Sequence, residues 1–467
     1  MTFSTTTVTV DTVFHRVKNA AAIVIFLVTM YALTALVFYF AISKYYTPIK
    51  DFYTVRFIIL LLFAPIIIKY IFHLAVAPWY PVVEASRSRK RSTNYTPSVS
   101  VLIPAWNEEV GIRATITSVL KTRYQHLEII VVNDGSTDRT HEIVRAFIAE
   151  YQEKYGISGT PIYYKRIQNG GKARALNTAL AMAQNDIIIT IDADSVMDHR
   201  AIKNLVKHFN DPRVASVAGN VVIGNRTKPI GFIQQLEYVY GFYFKRADSL
   251  LNAVYIVGGA AAAYRKKILI MLRGFDESAI TEDIELSTRL QYNGYQVRYA
   301  ADATVYTEGP SDFIGLCRQR LRWKFGRLHT FYKYRRLFFS TDRKHNFYLS
   351  FFILPLALFA EVLLFFEGIL LVLFYLYTFY TNDFVPLALV ILLLAGVVCM
   401  QILTDRNRRY HRNLLALAPI AWILFYFMDV VEYQALMRSI QRLMTKEKLL
   451  WQKWIRVGVF VDIQKEV

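Results

Sequence analysis

The sequence predicts a mixed α/β domain on a parallel sheet, set between hydrophobic helices that cross a membrane. Three observations carry that class. Nearly uncharged apolar runs lie toward both ends of the chain, strand-turn-helix segments alternate through its middle, and acidic or amide residues recur at the strand ends.

The membrane segments come first. The chain has 467 residues, 54% hydrophobic and 15% aromatic, with mean hydropathy +0.27. A soluble chain of this length is rarely so apolar. The apolar residues concentrate at 20–41 and 57–77, then at 348–380, 384–403 and 414–431. Each run is close to or beyond the ~20 residues that span a bilayer as a helix. The first run is too long for a removable signal peptide and lacks a small-residue cleavage site. Net charge is +19, from 55 basic and 36 acidic residues. The excess sits beside the apolar runs, in "SRSRKR" (86–91), "DRNRRYHR" (405–412) and residues 438–456. Basic flanks of this kind mark cytoplasmic helix ends and attract anionic lipid, so the partner is a lipid bilayer and nucleic acid is excluded. The rule places the middle of the chain and the tail after residue 433 in the cytoplasm. The uncharged-to-acidic "TFYTND" (378–383) falls outside. Residues 414–431 carry basic flanks on both sides and read as an interfacial or re-entrant helix rather than a further span. Cys317 and Cys399 offer no framework for disulfides or metal.

The middle of the chain supplies the sheet. "SVSVLIPAWNEE" is a strand ending at Pro104. "LEIIVVNDGSTD" is a second, stopping at Asn133 and Asp134, with Gly135 for the turn and Ser136 or Thr137 to cap the next helix. "NDIIITIDADS" is a third, apolar enough to be buried on both faces. Strands alternating with helix-length segments indicate βαβ units. Ligands bind beyond the carboxyl ends of such strands, where Asn107, Glu108, Asp134, Asp192 and Asp194 fall. In an extended chain residues i and i+2 point the same way, so Asp192 and Asp194 are expected to project together. Two like charges that close need a cation between them. Aspartate also simply ends strands and starts turns, but three coincident polar strand ends favour a binding crevice. "QNGGKARALNTAL" (168–180) adds a glycine turn, a helix start and Lys172, which suit phosphate oxygens. Mg²⁺ or Mn²⁺ bridging Asp192 or Asp194 to a diphosphate would reconcile the two acids.

"IPAWNEE", "VVNDGSTD", "GGKARALN", "DADS", "TED" (281–283) and "QRLRW" (319–323) follow one another in the order seen in membrane-integrated, processive family 2 glycosyltransferases. The chain resembles that family, which includes cellulose, hyaluronan, chitin and poly-N-acetylglucosamine synthases, over residues 97–335 and through the flanking membrane helices. The resemblance implies a GT-A-type (Rossmann-like) α/β domain and a UDP-sugar donor. It implies that Asp134 contacts uridine beside the loop of Pro104, Ala105, Asn107 and Glu108. Lys172 would lie near the phosphates, and Asp192 would line the donor site with Gly258 and Gly259. Asp194, with Asp192, would hold the metal. Asp283 would be the catalytic base, with Glu282, Gln319, Arg322 and Trp323 around the acceptor and diphosphate. Capping the helix that begins near Ile284 is the ordinary alternative for Asp283.

Residues 312–339 read as an amphipathic interface helix that puts Gln319, Arg322 and Trp323 on one face. Residues 232–251 read as a second one. The tail "LLWQKWIRVG" (449–458) resembles the family's gating element, with Trp451 or Trp454 and Arg456 as its working residues. Its spacing departs from the hyaluronan-synthase version, and a membrane-surface tail is the alternative. Glu361 and Glu367 lie inside an apolar run, where charge is costly. They either line a polymer path or pair with neighbouring helices.

The expected layout is a membrane region at 1–86, a basic linker at 87–96 and a catalytic domain at 97–310. The interface helix at 311–345, a second membrane region at 346–433 and a basic tail at 434–467 complete it. The function so implied is an inverting, processive synthase in the plasma membrane, multi-pass, with its catalytic domain cytoplasmic. It would polymerise a UDP-sugar into a β-linked polysaccharide and pass it through its own helices. "RWKFG" and the five-segment layout resemble bacterial N-acetylglucosamine polymer synthases, which favours UDP-N-acetylglucosamine. Transfer of one sugar to a lipid-linked acceptor, and a nucleotide-sensing transporter, are the rival readings. An accessory subunit is compatible with either.

Overall fold

The computed structural model describes residues 50–89 and 95–447, with 449, 454, 456–459 and isolated helical positions between 24 and 39. The rest of the apolar run at 20–41, residues 90–94 of the expected basic linker and Trp451 lie outside the described residues.

Helices α1 (Lys50–Val76) and α2 (Tyr80–Arg89) lead into the sheet. There follow β1 (Val99–Ala105), α3 (Ile112–Leu120), β2 (Leu127–Asp134), α4 (Thr140–Tyr155), β3 (Ile162–Ile167), α5 (Lys172–Met182) and β4 (Ile187–Thr190). Next come β5 (Ser195–Met197), α6 (Ala201–Val206), β6 (Val214–Ile223), α7 (Pro229–Leu250), β7 (Ala262–Arg265), α8 (Lys266–Met271), α9 (Glu282–Tyr292) and β8 (Gln296–Thr307). Helices α10 (Phe313–Lys333), α11 (Leu354–Thr381), α12 (Val385–Leu403), α13 (Arg408–His411) and α14 (Ala421–Thr445) complete the order.

The eight strands form one sheet in the order β3-β2-β1-β4-β7-β6-β8-β5. β1 runs parallel to β2 and β4, as the apolar runs predict, and all three are buried along their length. β3 is an edge strand with alternating burial, the pattern of one covered and one wet face. Alternation also divides the core. Val101, Ile103, Ile187 and Ile189 face α3, α4 and α6, whereas Leu102 and Ile188 face α5, α8 and α9.

The remaining strands set the site's geometry. β7 is antiparallel to both β4 and β6, and β8 is parallel to β6. β4, β6 and β8 therefore point the same way, so the end of β8 joins the ends of β1, β2 and β4 on one rim.

Among the described residues, Leu61–Arg89, Leu349–Thr381, Val385–Leu403 and Arg408–Thr445 are helices long and apolar enough to cross a membrane. Residues 414–431, expected as an interfacial or re-entrant helix, fall in a 3-10 segment (Arg412–Ile420) followed by the 25-residue α14. That extension makes the stretch long enough to cross.

Helices α7 and α10 confirm the two amphipathic segments at somewhat different bounds. α7 packs Leu236 and Val239 against Val398 and Ile402 of α12, and α10 packs Leu316 and Cys317 against Met428 and Val431 of α14. A buried ion cluster ties α10 to three further helices. Arg320 donates to both carboxylate oxygens of Glu237 at 2.6 Å, and Lys324 reaches Glu361 at 2.8 Å and Glu432 at 2.6 Å. Arg327 also pairs with Glu361. Buried charges need several good partners to offset desolvation, and here Arg320 and Lys324 each meet two carboxylates. For Glu361 the helix-pairing alternative therefore prevails over lining a path.

Candidate active site

The rim begins with two loops laced together. Asn107, in the left-handed region (φ 56°), donates its amide to Ser136 Oγ at 2.9 Å and accepts from the Thr137 amide at 2.7 Å. The Glu108 amide donates to Thr140 Oγ1 at 2.8 Å. Asn107 thus holds the loop after β1 to the loop after β2. Ser136 and Thr137 do not cap α4 as expected, since they serve this lacing, and Asp138 Oδ1 accepts from the Thr140 amide instead. Asp134 is buried, and its two carboxylate oxygens accept the Gly170 and Gly171 amides at 2.9 and 2.8 Å. Burial raises its pKa, while those amides and Arg174 oppose the shift. The glycine turn is thereby fixed by Asp134, and α5 starts with Lys172 over the rim.

The "DAD" acids differ from the expectation. β4 ends at Thr190, so Asp192 and Asp194 lie in a turn and the strand alternation that would aim them together does not apply. Each acid has its own cation. Lys172 Nζ lies 2.6 Å from Asp192 Oδ1 and 3.1 Å from Glu282 Oε1. Arg456 lies 2.6 Å from Asp194 Oδ2. Asp192 thus pairs with Lys172 and Asp194 with Arg456, so the two acids expected to share a metal each face a separate cation. Lys172 is likewise paired with carboxylates rather than free for phosphates alone. Burial works to strip its proton, but Asp192, Glu282 and Asp283 outweigh that and hold its pKa above the ordinary value. Glu282 is raised by burial, against Lys172 and with Asp283 and Asp192 adding to the shift.

Asp283 is half-buried in the first turn of α9. Its Oδ2 accepts the Gly259 amide at 3.0 Å and its Oδ1 the Ile284 amide at 2.9 Å. It does cap its helix locally, yet it also faces the rim. A Cβ on Gly259 would meet Lys172 Nζ at 2.8 Å, so glycine lets this loop lie against the charged cluster. Gly258 precedes it in extended backbone.

Helix α10 roofs the cluster. A Cβ on Gly326 would come within 2.8 Å of Thr281 Cβ, so the absence of a side chain lets α10 rest on the "TED" turn. The Gln319 side chain is buried with its Oε1 unpartnered, an acceptor held ready. Arg322 has its pKa lowered chiefly by burial and also by Arg456, against the attraction of Glu282, Asp283 and Asp192. Trp323 is half-buried with Arg320 over its ring at 4.4 Å.

Three participants escaped the sequence reading. Glu308, just past β8, accepts the Val457 and Gly458 amides at 2.6 and 3.0 Å. Only the topology of β7 and β8 reveals that this glutamate joins the rim. Lys245 of α7 is close enough to feel Asp283, and burial pushes its pKa down to about 8 against Asp248 and Asp283. The third is the occupant of Asp194, since Arg456 was anticipated as gating but not as this carboxylate's counter-ion.

A divalent cation fits Asp194 as a single hard oxygen ligand. Among the described residues there is no group of three or more His, Cys, Asp or Glu side chains to complete its shell. The remaining ligands would have to come from a diphosphate, once Arg456 gives way.

A mixed sheet with an acidic rim at its strand ends, half-roofed by an interface helix, defines a GT-A-type glycosyltransferase. Residues 100–272 match the family described as glycosyl transferase family 2, and residues 187–403 match glycosyl transferase family group 2. The chain carries a family 2 glycosyltransferase domain. It is similar to the poly-beta-1,6-N-acetyl-D-glucosamine synthase of Staphylococcus aureus (strain COL), 32% identical over 272 residues, covering 56% of this chain and 63% of that protein. The synthase of the same name from Staphylococcus epidermidis is 33% identical over 231 residues, 49% of this chain and 54% of that one. The chain thus spans less than two thirds of the length of these relatives. A solved mannosyltransferase, PcManGT from Pyrobaculum calidifontis in complex with GDP-Man and Mn²⁺, shares the fold at TM-score 0.51 and 21% identity. That match covers 83% of this chain and all of that one.

Proposed function

We propose that the chain is an inverting, processive synthase that extends a β-linked polysaccharide from UDP-N-acetylglucosamine and passes it across the membrane between its own helices. The observation that carries this reading is the assembly of Asp283, Lys172, Asp192 and Glu282 under the Gln319–Trp323 face of α10. The named relatives are synthases of an N-acetylglucosamine polymer, which supports the choice of donor.

In this reading the acceptor hydroxyl attacks the anomeric carbon as the bond to the UDP oxygen breaks, and attack from the opposite face inverts the linkage. Asp283 accepts the hydroxyl proton. Its two backbone hydrogen bonds fix the carboxylate in place. Arg322 stands over the leaving diphosphate, and Trp323 and Gln319 position the acceptor sugar by its apolar face and hydroxyls. Asp134, bonded to both glycine amides, shapes the nucleotide pocket with the Pro104–Glu108 loop and with Lys172. Gly258 and Gly259 leave room for the donor sugar. Asp194 would hold Mg²⁺ or Mn²⁺, which supplies charge stabilisation for the departing diphosphate. The catalytic domain would lie in the cytoplasm of a multi-pass plasma-membrane protein.

The test is the purified full-length chain in lipid, offered a panel of UDP-sugars with Mg²⁺ or Mn²⁺, with UDP release and product size as readouts. UDP-N-acetylglucosamine should give a long polymer. Asp283→Asn should retain UDP binding and lose about 10²- to 10⁴-fold in turnover. A product one sugar longer than its acceptor would refute processivity, and an active Asp283→Asn variant would refute the assigned base.

A further inference from the structure

The tail is docked into the rim by three kinds of contact. Val459 packs with Val222, Tyr306 and Tyr410. Glu308 clasps the Val457 and Gly458 amides. Arg456 then lies between two carboxylates, 2.7 Å from Glu108 Oε1 and 2.6 Å from Asp194 Oδ2. The ring of Trp454 backs its guanidinium at 4.8 Å and Arg322 at 5.9 Å, and the buried indole nitrogen has no hydrogen-bond partner. The guanidinium thus occupies the one oxygen position that Asp194 turns to the crevice. Its other carboxylate oxygen accepts from the Ser195 hydroxyl at 3.1 Å and lies 3.4 Å from Thr307 Oγ1.

We infer that Arg456 and the divalent cation compete for Asp194, so that the tail must let go before the metal binds. This rests on the reading of Asp194 as the metal-holding carboxylate. The physical reason is simple. A guanidinium and a divalent cation cannot share a single carboxylate oxygen at contact distance without strong mutual repulsion. With only the Glu108 carboxylate beside Asp194 at that point, and no group of three or more such ligands among the described residues, a bare cation has little to offer in exchange. A cation arriving on a diphosphate brings its own oxygens and gives Arg456 alternative anionic partners. Cation and donor therefore enter together, and Arg456 acts as a resident counter-ion that keeps the empty site from collecting stray metal.

The experiment is Mn²⁺ binding to the full-length protein in detergent without donor, read by the electron paramagnetic resonance signal of free Mn²⁺. Arg456→Gln should bind Mn²⁺ about tenfold or more tightly than the parent, within the usual range of site-to-site coupling. Arg456→Lys should resemble the parent, and Asp194→Asn should abolish the gain. Glu308→Ala is the decisive control. It removes a negative charge beside the site, which by electrostatics alone would weaken cation binding, yet by freeing the tail it should tighten it. Weaker binding in Glu308→Ala, or equal Asp194-dependent affinities in the parent and Arg456→Gln, would overturn the competition while leaving the metal assignment standing. No Asp194-dependent binding in any variant, with UDP absent or added, would overturn both.

Discussion

At the scale of single residues, the site is an excess of carboxylates with a few cations distributed among them. Lys245 is a sensitive reporter of that balance. Burial brings its pKa down to about 8, with Asp248 and Asp283 pulling the other way. Below pH 8 Lys245 is an ammonium attracted to the Asp283 carboxylate. As pH rises through 8 that charge disappears and no longer competes with the acceptor's proton for the carboxylate. Turnover should therefore climb across pH 7–9, and the climb should flatten in Lys245→Gln. A pH-rate profile on both proteins checks this, and an unchanged limb in the variant would assign the ionisation elsewhere. Much of the site was legible at this scale because chemistry-bearing residues sit at strand ends. The pairing was not. Nothing in "DADS" says that Lys172, twenty positions earlier, takes one acid and that Arg456 takes the other.

At the scale of elements, helix α10 does two tasks with two faces. One carries Arg322 toward the rim acids, and on the proposed reading Gln319 and Trp323 with it. The other buries Arg320, Lys324 and Arg327 against carboxylates from α7, α11 and α14. Gly326 sets how closely the first face approaches Asp283. Gly326→Ala should force α10 away from Thr281, costing about 1–3 kcal/mol of stability. Its turnover should fall further than its UDP affinity does, because the nucleotide pocket lies on other loops. Thermal unfolding in detergent together with nucleotide titration separates these effects; equal losses would place the damage in the whole fold. The helical spacing of α10 was readable from the sequence. Among the strands, β1, β2 and β4 were readable because burial on both faces leaves continuous apolar runs. β3, "IYYKRI", is an edge strand with two basic residues, and β8 carries Arg298 and Asp302. Such mixed strands declare themselves only through their partners.

At the scale of the molecule, the catalytic domain and the membrane helices are one packed body rather than beads on a string. α7 touches α1 and α12, with His73 and Asp248 bonded at 2.9 Å across the first of those contacts. The charge rule proposes the cytoplasmic side of the bilayer for the domain. In a background lacking Cys317 and Cys399, Thr381→Cys should react with an impermeant maleimide added outside intact cells. Ser88→Cys should react only after permeabilisation. The reverse pattern would invert the topology. In the segment after residue 412, symmetric basic flanks suggest a helix lying at the surface, and the fold gives α14 a length that would also suffice to cross.

The clasp at Glu308 has one more consequence. It holds main-chain N–H groups, which every amino acid except proline carries, so the grip is indifferent to the side chain at position 457. A sequence can drift there without loosening the latch, and a survey that mutates only side chains would pass over the point where the chain's end is fastened.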